Sequence, residues 1–269
     1  MRLKLIKKYH PCFSEEAHFK YGRVHLPVAP ECNIHCNYCL RSISSTEDRP
    51  GVTERVLSTH EAMEVLSDAV GNYRLTVVAV AGPGEPLANK ETFEVLEMVK
   101  EEFPDLTRCL ATNGLALHEN VHLLEEIGVS TVTVTVNTVD PVVGAKIYEH
   151  VNVNGMRYSG EEGAQILKER QLQGIKEISS RGIFVKINTV LIPGINGDCL
   201  VDVARKCSEM GAVIMNIVPL IPVGKFADKR PPTCEELSSA RFVCEKYLEQ
   251  FRVCEQCRAD ACGIPGRSV

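Results

Sequence analysis

Apolar and polar residues alternate with two different periods along the middle of the chain, and this pattern predicts six strands separated by helices. The strands are predicted over residues 23–29, 75–81, 106–111, 130–136, 183–191 and 212–220. Helical periodicity indicates helices over residues 91–102, 118–127, 163–181 and 199–210, with a capped amphipathic helix starting at Thr59. Residues 1–21 are polar and predict no regular element.

Regular alternation of strand and helix predicts parallel strands joined by right-handed crossovers. Six such units are fewer than the eight of a closed TIM barrel, so we expect an α/β fold that forms an open, partial (βα)6 TIM-like barrel. Residues 23–233 form this barrel, residues 1–22 are an N-terminal extension, and residues 234–269 are a C-terminal helix and cysteine-containing tail. In such sheets the functional residues gather at the carboxyl ends of the strands.

Composition narrows the classes of function. The 269 residues are 44% hydrophobic and 24% charged, as in a soluble globular protein, and the net charge of −5 gives no basic surface for nucleic acid. No window reaches the roughly 20 apolar residues of a membrane span, and the N-terminus has no signal-peptide core. We therefore expect a cytoplasmic protein that binds neither nucleic acid nor a membrane. Its twelve cysteines, partly clustered, favour metal ligation over disulfides.

Three cysteines, Cys32, Cys36 and Cys39, follow the first predicted strand with the spacing C-x3-C-x2-C. Closely spaced thiolates can bind one iron–sulfur cluster, and three of them leave one iron open to a small molecule. A zinc site or three buried thiols are the weaker alternatives, because zinc prefers four protein ligands. The motif, with Tyr38 before its last cysteine, resembles that of the radical S-adenosylmethionine (SAM) superfamily. That resemblance implies a [4Fe-4S] cluster with SAM bound at its fourth iron.

Polar groups at later strand ends are candidates for binding SAM. Gly82 and Gly84 permit close approach to the backbone, and Glu85 can accept hydrogen bonds from an ammonium group. This turn resembles the GGE motif with which the superfamily binds the SAM amino group. Asn137 and Asn188 end two further strands, where the superfamily binds the ribose and carboxylate of SAM. Polar residues at a sheet edge without any ligand are the alternative interpretation.

The tail contains a C-x2-C pair, Cys254 and Cys257, followed by Cys262. In a reducing compartment such a pair favours metal ligation over a disulfide, and no strand precedes it as in redox-active pairs. Taken singly, Cys12, His25 and Cys109 are typical of satisfied core residues.

Longer segments resemble the NifB family, the radical SAM enzymes of nitrogenase cofactor assembly. The resemblance rests on residues 10–18, 23–30, 49–52, 81–89, 110–115, 132–137 and 254–261. It covers essentially the whole chain and corresponds to the short archaeal-type form without a NifX-like domain.

The resemblance implies a reaction and a set of ligands. Members of the family fuse two [4Fe-4S] substrate clusters, K1 and K2, with a sulfur and a SAM-derived carbide into the [8Fe-9S-C] precursor of the nitrogenase cofactor. A 5′-deoxyadenosyl radical removes hydrogen from a methyl group that a second SAM has placed on a cluster sulfide. The resemblance assigns K1 to Cys12, His25 and Cys109, and K2 to Cys254 and Cys257. The implied partners are iron–sulfur cluster donors and the carrier or acceptor proteins of nitrogenase assembly.

One loop departs from the family pattern. Members normally carry a further cysteine shortly before Glu and Arg-Pro-Gly-Val, whereas residues 42–48 contain serines and no cysteine. We assign the carboxylate of that loop, a catalytic candidate, to Glu47, with Asp48 as the alternative, and we expect Cys262 to be a replacement ligand.

Two alternatives stay open from the sequence. The chain is also compatible with a radical SAM enzyme that uses auxiliary clusters on a small molecule or peptide, or with a non-catalytic iron–sulfur cluster carrier. Cys12, His25 and Cys109 favour the NifB interpretation. The turn at Glu85 argues against a carrier, because a carrier needs no SAM site.

Overall fold

Nine helices and thirteen strands occur in the part of the chain that the computed structural model describes, residues 2–265. Residue 1 and residues 266–269, the ends of the two predicted terminal segments, lie outside the described residues. The helices are α1 (Arg2–Tyr9), α2 (Glu15–His18), α3 (Thr59–Asn72), α4 (Lys90–Glu102), α5 (Val121–Ile127), α6 (Pro141–Ile147), α7 (Gly160–Ser180), α8 (Leu200–Glu209) and α9 (Cys234–Cys244). The strands are β1 (Gly22–His25), β2 (Ile34–Cys36), β3 (Ser42–Ile43), β4 (Val52–Thr53), β5 (Leu75–Val80), β6 (Thr107–Thr112), β7 (Thr131–Thr135), β8 (Tyr148–Val153), β9 (Met156–Ser159), β10 (Phe184–Leu191), β11 (Ile214–Pro219), β12 (Glu249–Gln250) and β13 (Cys262–Gly263).

The main sheet has eight strands in the order β12-β11-β10-β7-β6-β5-β1-β13. All neighbouring strands are parallel except β13, which pairs antiparallel with β1 through Val24 and Cys262. The α/β class and the open, partial barrel are therefore confirmed, and its six central parallel strands are the six predicted ones. No described helix is both long and apolar enough to cross a membrane.

Residue alternation in the strands separates the helix-covered face of the sheet from the inner face. In β7, Val132 and Val134 are fully buried in the core formed with the helices, whereas Thr133 and Thr135 point to the inner cavity. Helix α3 begins at the predicted residue because Ser58 and Glu61 form a capping box, in which each side chain bonds to the other's backbone N–H.

The N-terminal extension corrects the sequence interpretation, which predicted no regular element over residues 1–21. Residues of α1 and of the segment between α1 and α2 pack against the bottom of the sheet, where Ile6 and Phe13 contact Ile214 and Phe251. Helices of eight and four residues are too short to be stable alone, so tertiary packing forms them and the sequence signal is weak. Strand β1 also ends earlier than predicted, at His25, two residues before Pro27.

A three-stranded antiparallel sheet, β2-β8-β9, was not predicted and supports the cysteine loop. Its β8–β9 hairpin turns at Asn154 and Gly155, which both have positive φ (51° and 77°), as a two-residue hairpin turn requires. The Asn-Gly pair was the available sequence signal. The hairpin holds the loop because the N–H of Asn152 donates to Asn33 O at 2.8 Å, and that of Asn37 to Ile147 O at 2.8 Å.

Candidate functional site

A cavity of about 340 Å³ opens at the carboxyl ends of the central strands. Eight of the nine predicted metal ligands line it: Cys12, His25, Cys32, Cys36, Cys39, Cys109, Cys254 and Cys257. Four predicted SAM-binding residues line it as well: Tyr38, Gly84, Glu85 and Asn188. The remaining predicted site residues, Glu47, Gly82, Asn137 and Cys262, are not on its walls. Three groups of cysteines far apart in sequence thus meet around one space.

The three cysteines of the C-x3-C-x2-C motif form one wall of the cavity. Burial raises the pKa of Cys32 to about 11, and burial likewise raises the pKa values of Cys36 and Cys39. The thiols are thus neutral in the empty protein and lose protons when they bind metal. Within residues 2–265, no three His, Cys, Asp or Glu side chains are close enough to hold a single metal ion.

The turn at Gly84 packs directly on the loop that precedes Cys32. The N–H of Gly84 donates to Ala29 O at 2.6 Å, and that of Glu85 to Glu31 O at 2.7 Å. A Cβ atom at Gly84 would lie only 2.2 Å from Glu31 O. Glycine is therefore required here for contact between two loops of the protein, in addition to any approach by a ligand. Gly82 has φ of +132°, a conformation that also favours glycine.

The Glu85 carboxylate is fixed at the cavity wall. Its Oε1 accepts hydrogen bonds from Thr112 Oγ1 and from the N–H of Leu87, and its Oε2 accepts one from the N–H of Asn113 at 2.6 Å. Burial outweighs these donors and raises the pKa of Glu85 to about 7. A buried carboxylate with a raised pKa gains from a cationic partner, so this group fits an ammonium ligand.

Asn137 belongs to a hydrogen-bond network with two tyrosines, one of which lies near Cys36. Its Nδ2 donates to Tyr38 Oη at 2.9 Å and to Tyr148 Oη at 3.2 Å, while its Oδ1 accepts the N–H of Val190 at 2.9 Å. The Tyr38 hydroxyl lies near the Cys36 thiol and partly offsets the rise that burial causes in the pKa of that thiol. Both side-chain groups of Asn137 are thus used within the protein, and the residue orients Tyr38.

Asn188, the other strand-end asparagine, does face the cavity. Its Oδ1 accepts a hydrogen bond from Asn216 Nδ2 at 3.0 Å, which leaves its own amide nitrogen available on the cavity side.

Two of the predicted K1 ligands, His25 and Cys109, lie on strands β1 and β6, which flank β5, and Cys12 lies in the segment between α1 and α2. His25, Ala79 and Cys109 are successive register partners across β1, β5 and β6. His25 Nδ1–H donates to the carbonyl of Arg258 at 3.0 Å, which leaves Nε2 as the free ring nitrogen. Burial lowers the pKa of His25 to about 4 and raises that of Cys12 to about 12. His25 is therefore a neutral imidazole, the form that binds metal.

Two residues that the sequence analysis did not single out link the two K1 thiols. The N–H of Cys12 donates to His10 Nδ1 at 3.1 Å, so His10 carries its proton on Nε2 and donates it to Thr131 Oγ1 at 3.1 Å. Thr131 is the register partner of Cys109 on the adjacent strand, and its hydroxyl partly offsets the rise that burial causes in the pKa of the Cys109 thiol. Both residues are buried. Their pairing spans 121 positions, and the only sequence signal was that His10 starts a segment resembling the NifB family.

The tail cysteines approach the cavity in a tight turn beside β11. Gln256 adopts a positive φ of 50°, its Nε2 donates to Pro219 O at 3.0 Å, and its N–H points to Cys254 Sγ at 3.5 Å. Cys257 Sγ accepts a hydrogen bond from Arg23 Nη2 at 2.9 Å. The tail therefore presents both thiols to the same space as the K1 ligands.

Glu47 and Cys262 lie apart from the cavity. The Glu47 carboxylate bonds to Arg49, and its backbone carbonyl accepts a hydrogen bond from Arg258, so the loop is fixed to the tail. Cys262 is exposed on β13, the strand at the β1 edge of the sheet. Neither side chain lines the cavity that the predicted K2 pair faces.

Comparison with known proteins identifies relatives over nearly the whole chain. The sequence profile described as the radical SAM superfamily matches residues 26–207. A protein named FeMo cofactor biosynthesis protein NifB from Methanocaldococcus jannaschii is 49% identical over 262 residues, covering 96% of this chain and 87% of that protein. A protein of the same name from Bradyrhizobium diazoefficiens is 46% identical over 96% of this chain, which covers 54% of the relative.

Solved structures show the same fold at low sequence identity. Streptococcus suis SuiB superposes with a TM-score of 0.61 at 14% identity, covering 84% of this chain and 48% of SuiB. Methylornithine synthase superposes with a TM-score of 0.57 at 11% identity, covering 92% of this chain and 67% of that enzyme. At these identities the likeness concerns the arrangement of the barrel alone.

Proposed function

Because the chain belongs to the radical SAM superfamily and, within it, to the NifB family, we propose that it fuses two [4Fe-4S] substrate clusters into the [8Fe-9S-C] precursor of the nitrogenase cofactor. The product contains an additional sulfur and a carbide that derives from the methyl group of SAM. The iron–sulfur cluster donors that supply the substrates and the carrier proteins that receive the product are its proposed partners.

One observation carries the proposal. The SAM-cluster triplet, the K1 set and the tail pair all line a single cavity. A radical enzyme with one organic substrate needs the triplet and the SAM turn, but it has no need of two further groups of thiols facing the same space. Cluster fusion does need them, because both substrates and the SAM-derived carbon have to meet.

In the SAM half of the site, Cys32, Cys36 and Cys39 would hold a [4Fe-4S] cluster, which when bound supplies the electron that cleaves SAM. Glu85 would bind the SAM ammonium, and Gly84 keeps that carboxylate against the cysteine loop. Asn137 and Tyr38 orient Cys36. These contacts fix geometry and exclude water from a reactive site.

In the substrate half, Cys12, His25 and Cys109 would hold K1, and Cys254 and Cys257 would hold K2. Two or three ligands of mixed type suit a cargo that has to be released, since fewer bonds break when the product leaves. His25 also contributes a neutral ligand in place of a thiolate, which changes cluster potential.

Counting clusters in the wild type and in one triple variant tests the proposal. Anaerobically reconstituted wild-type protein is expected to contain three clusters by iron and acid-labile sulfide analysis, with one EPR signal that responds to SAM. The variant Cys12→Ala/His25→Ala/Cys109→Ala should lose one cluster and keep the SAM-responsive signal. A single cluster in both proteins would contradict the assignment of substrate sites.

Two product measurements separate the proposal from its alternatives. Turnover should give 5′-deoxyadenosine together with S-adenosylhomocysteine, because one SAM supplies the radical and another the methyl group. Formation of 5′-deoxyadenosine alone would favour a radical enzyme with another substrate, and the absence of both would favour a cluster carrier.

The exposed Cys262 provides a matched control for the tail. Cys257→Ala should lower the iron content, whereas Cys262→Ala should leave iron content and product yield unchanged, because Cys262 does not line the cavity. Loss of iron in Cys262→Ala would show that the thiol is a ligand after all.

A further inference from the structure

The charge of the cavity differs from the charge of the protein. The chain as a whole has a net charge of −5. Among the residues that the structure describes, however, the cavity walls carry only one carboxylate, Glu85, and four basic residues, Arg23, Arg41, Arg49 and Lys186. The walls of this cavity therefore carry an excess of positive charge, although the protein as a whole is acidic. Such an arrangement favours anionic occupants.

The basic residues divide between the two halves of the cavity. Arg41 and Arg49 act electrostatically on Cys39, in the SAM half, and Arg49 is paired there with Glu47. Arg23 and Lys186 act on Cys12, in the substrate half. The two halves thus have separate sources of positive charge.

Arg23 and Lys186 are both buried, and neither has a carboxylate partner among the described residues. Arg23 Nη1 donates to Gly263 O at 2.8 Å and Nη2 to Cys257 Sγ at 2.9 Å, while its buried Nε has no described partner. The nearby carboxylate of Asp260 is paired with Arg258 instead. A guanidinium does not lose its proton in a protein, so Arg23 is a buried charge that lacks a counter-charge.

Lys186 has a similar environment on the opposite wall. Its Nζ donates to Cys12 O at 3.2 Å and lies over the rings of Phe13 and Phe251, at 5.7 and 5.3 Å from their centroids. The two aromatic rings and one carbonyl stabilise the ammonium only partly. A negative group in the cavity would complete the environment of both cations.

We propose that Arg23 and Lys186 form an anion-binding wall that holds the substrate clusters and their fused product by charge. In the same scheme Arg23 also positions the K2 ligand Cys257 beside the K1 ligands. This inference rests on the proposed function. Thiolate-ligated clusters become negative when reduced, and the fused product gains more negative charge with its extra sulfur and carbon. Thiolate and imidazole ligands are released during fusion, whereas fixed charges keep acting on the cluster throughout.

Position along the chain gives Arg23 its second role. It lies two residues before His25 on the same face of β1, and its guanidinium bonds to the tail thiol Cys257. One side chain therefore connects the K1 strand to the K2 tail. Arg23 is a positioning residue in this scheme, since its hydrogen bond orients a ligand.

Substitutions that remove the charge but keep a side chain of similar length test the proposal. Arg23→Met and Lys186→Met remove the charges, Arg23→Lys keeps the charge but loses the forked hydrogen bonds, and Arg205→Met removes an exposed arginine of α8 as a control. Each protein is reconstituted anaerobically without SAM, desalted at increasing salt concentration, and analysed for iron, sulfide and EPR midpoint potentials. The SAM-cluster signal in every sample reports correct folding.

We expect both Met variants to lose auxiliary-cluster iron several-fold more readily than wild type on desalting. The auxiliary clusters that they retain should have lower midpoint potentials, because a nearby positive charge stabilises the reduced cluster. Arg23→Lys should restore the potential, and Arg205→Met should behave as wild type. If the two residues had only a structural role, the Met variants would not lower the midpoint potential of the auxiliary clusters, and Arg23→Lys would not restore it.

The outcomes separate the inference from the proposed function. Wild-type protein without auxiliary clusters would contradict the proposed function itself. Wild-type protein with these clusters, and Met variants equal to it in iron retention and potential, would overturn the anion-binding wall alone. If Arg23→Met does not fold, Lys186→Met decides, provided that its SAM-cluster signal is intact.

Discussion

The network around Asn137 gives a prediction whose size follows from the structure. Asn137→Ala leaves the buried N–H of Val190 without its acceptor, at a cost of about 1–3 kcal/mol. It also removes the donors to Tyr38 and Tyr148, each worth about 0.5–1.5 kcal/mol. We therefore expect the free energy of unfolding of the cluster-free protein to fall by about 2–6 kcal/mol.

Anaerobic urea unfolding measures this loss, and two further variants make the test specific. Asn120→Ala removes one partly exposed hydrogen bond, to Ala116 O, and should cost less than about 1 kcal/mol. In a double-mutant cycle, Asn137→Ala and Tyr148→Phe should be coupled by at least about 0.5 kcal/mol, because they share a hydrogen bond. Additive effects, or an Asn137→Ala variant within about 0.5 kcal/mol of wild type, would refute the network.

Three further variants test other contacts of the site. The folded state raises the pKa of Glu85 from 4.5 to about 7 and so binds the proton more tightly. Proton binding at Glu85 contributes about 3 kcal/mol to the stability of the cluster-free protein below pH 4.5, and this contribution is lost as the pH rises through about 7. Glu85→Gln should flatten this pH profile in urea unfolding. Gly84→Ala forces a Cβ atom against Glu31 O, so it should destabilise the protein by about 1–3 kcal/mol or more and abolish the SAM-responsive signal. Its control is Gly71→Ala, where the added Cβ meets open space, and this variant should be neutral or stabilising in thermal melts. Thr131→Val leaves the Nε2–H of His10 unpaired and should lower the free energy of unfolding by about 1–3 kcal/mol in the urea assay. Thr133→Val, on the cavity wall, serves as its control. Equal stabilities of the two variants would contradict the series of contacts that links Cys12 to Cys109.

The parts of the site that depend on neighbouring residues could be predicted from the sequence. The cysteine triplet, the Gly84–Glu85 turn and the tail pair are each defined within a few positions, and strand alternation in β7 correctly separates core valines from cavity threonines. The barrel was predictable for the same reason, since each strand has its own periodic signal.

Contacts between distant positions could not be predicted in this way. The hydrogen bond from Arg23 to Cys257 joins residues 234 positions apart, and nothing local to either residue indicates it. Asn137 is a second example, because the sequence around a polar residue at a strand end does not indicate whether its side chain binds a ligand or a tyrosine. The family resemblance named candidate ligands, but it gave no role to Thr131 or Lys186, and for His10 it gave only a place in a similar segment.

The tail also couples the two proposed substrate sites to each other. Strand β13 pairs with β1, and the carbonyl of Arg258 orients His25, a residue 233 positions away along the chain. Local opening of the tail would withdraw Cys254 and Cys257 from the cavity and would remove the carbonyl that orients His25. A single opening of this edge of the sheet would therefore disable both proposed substrate sites together.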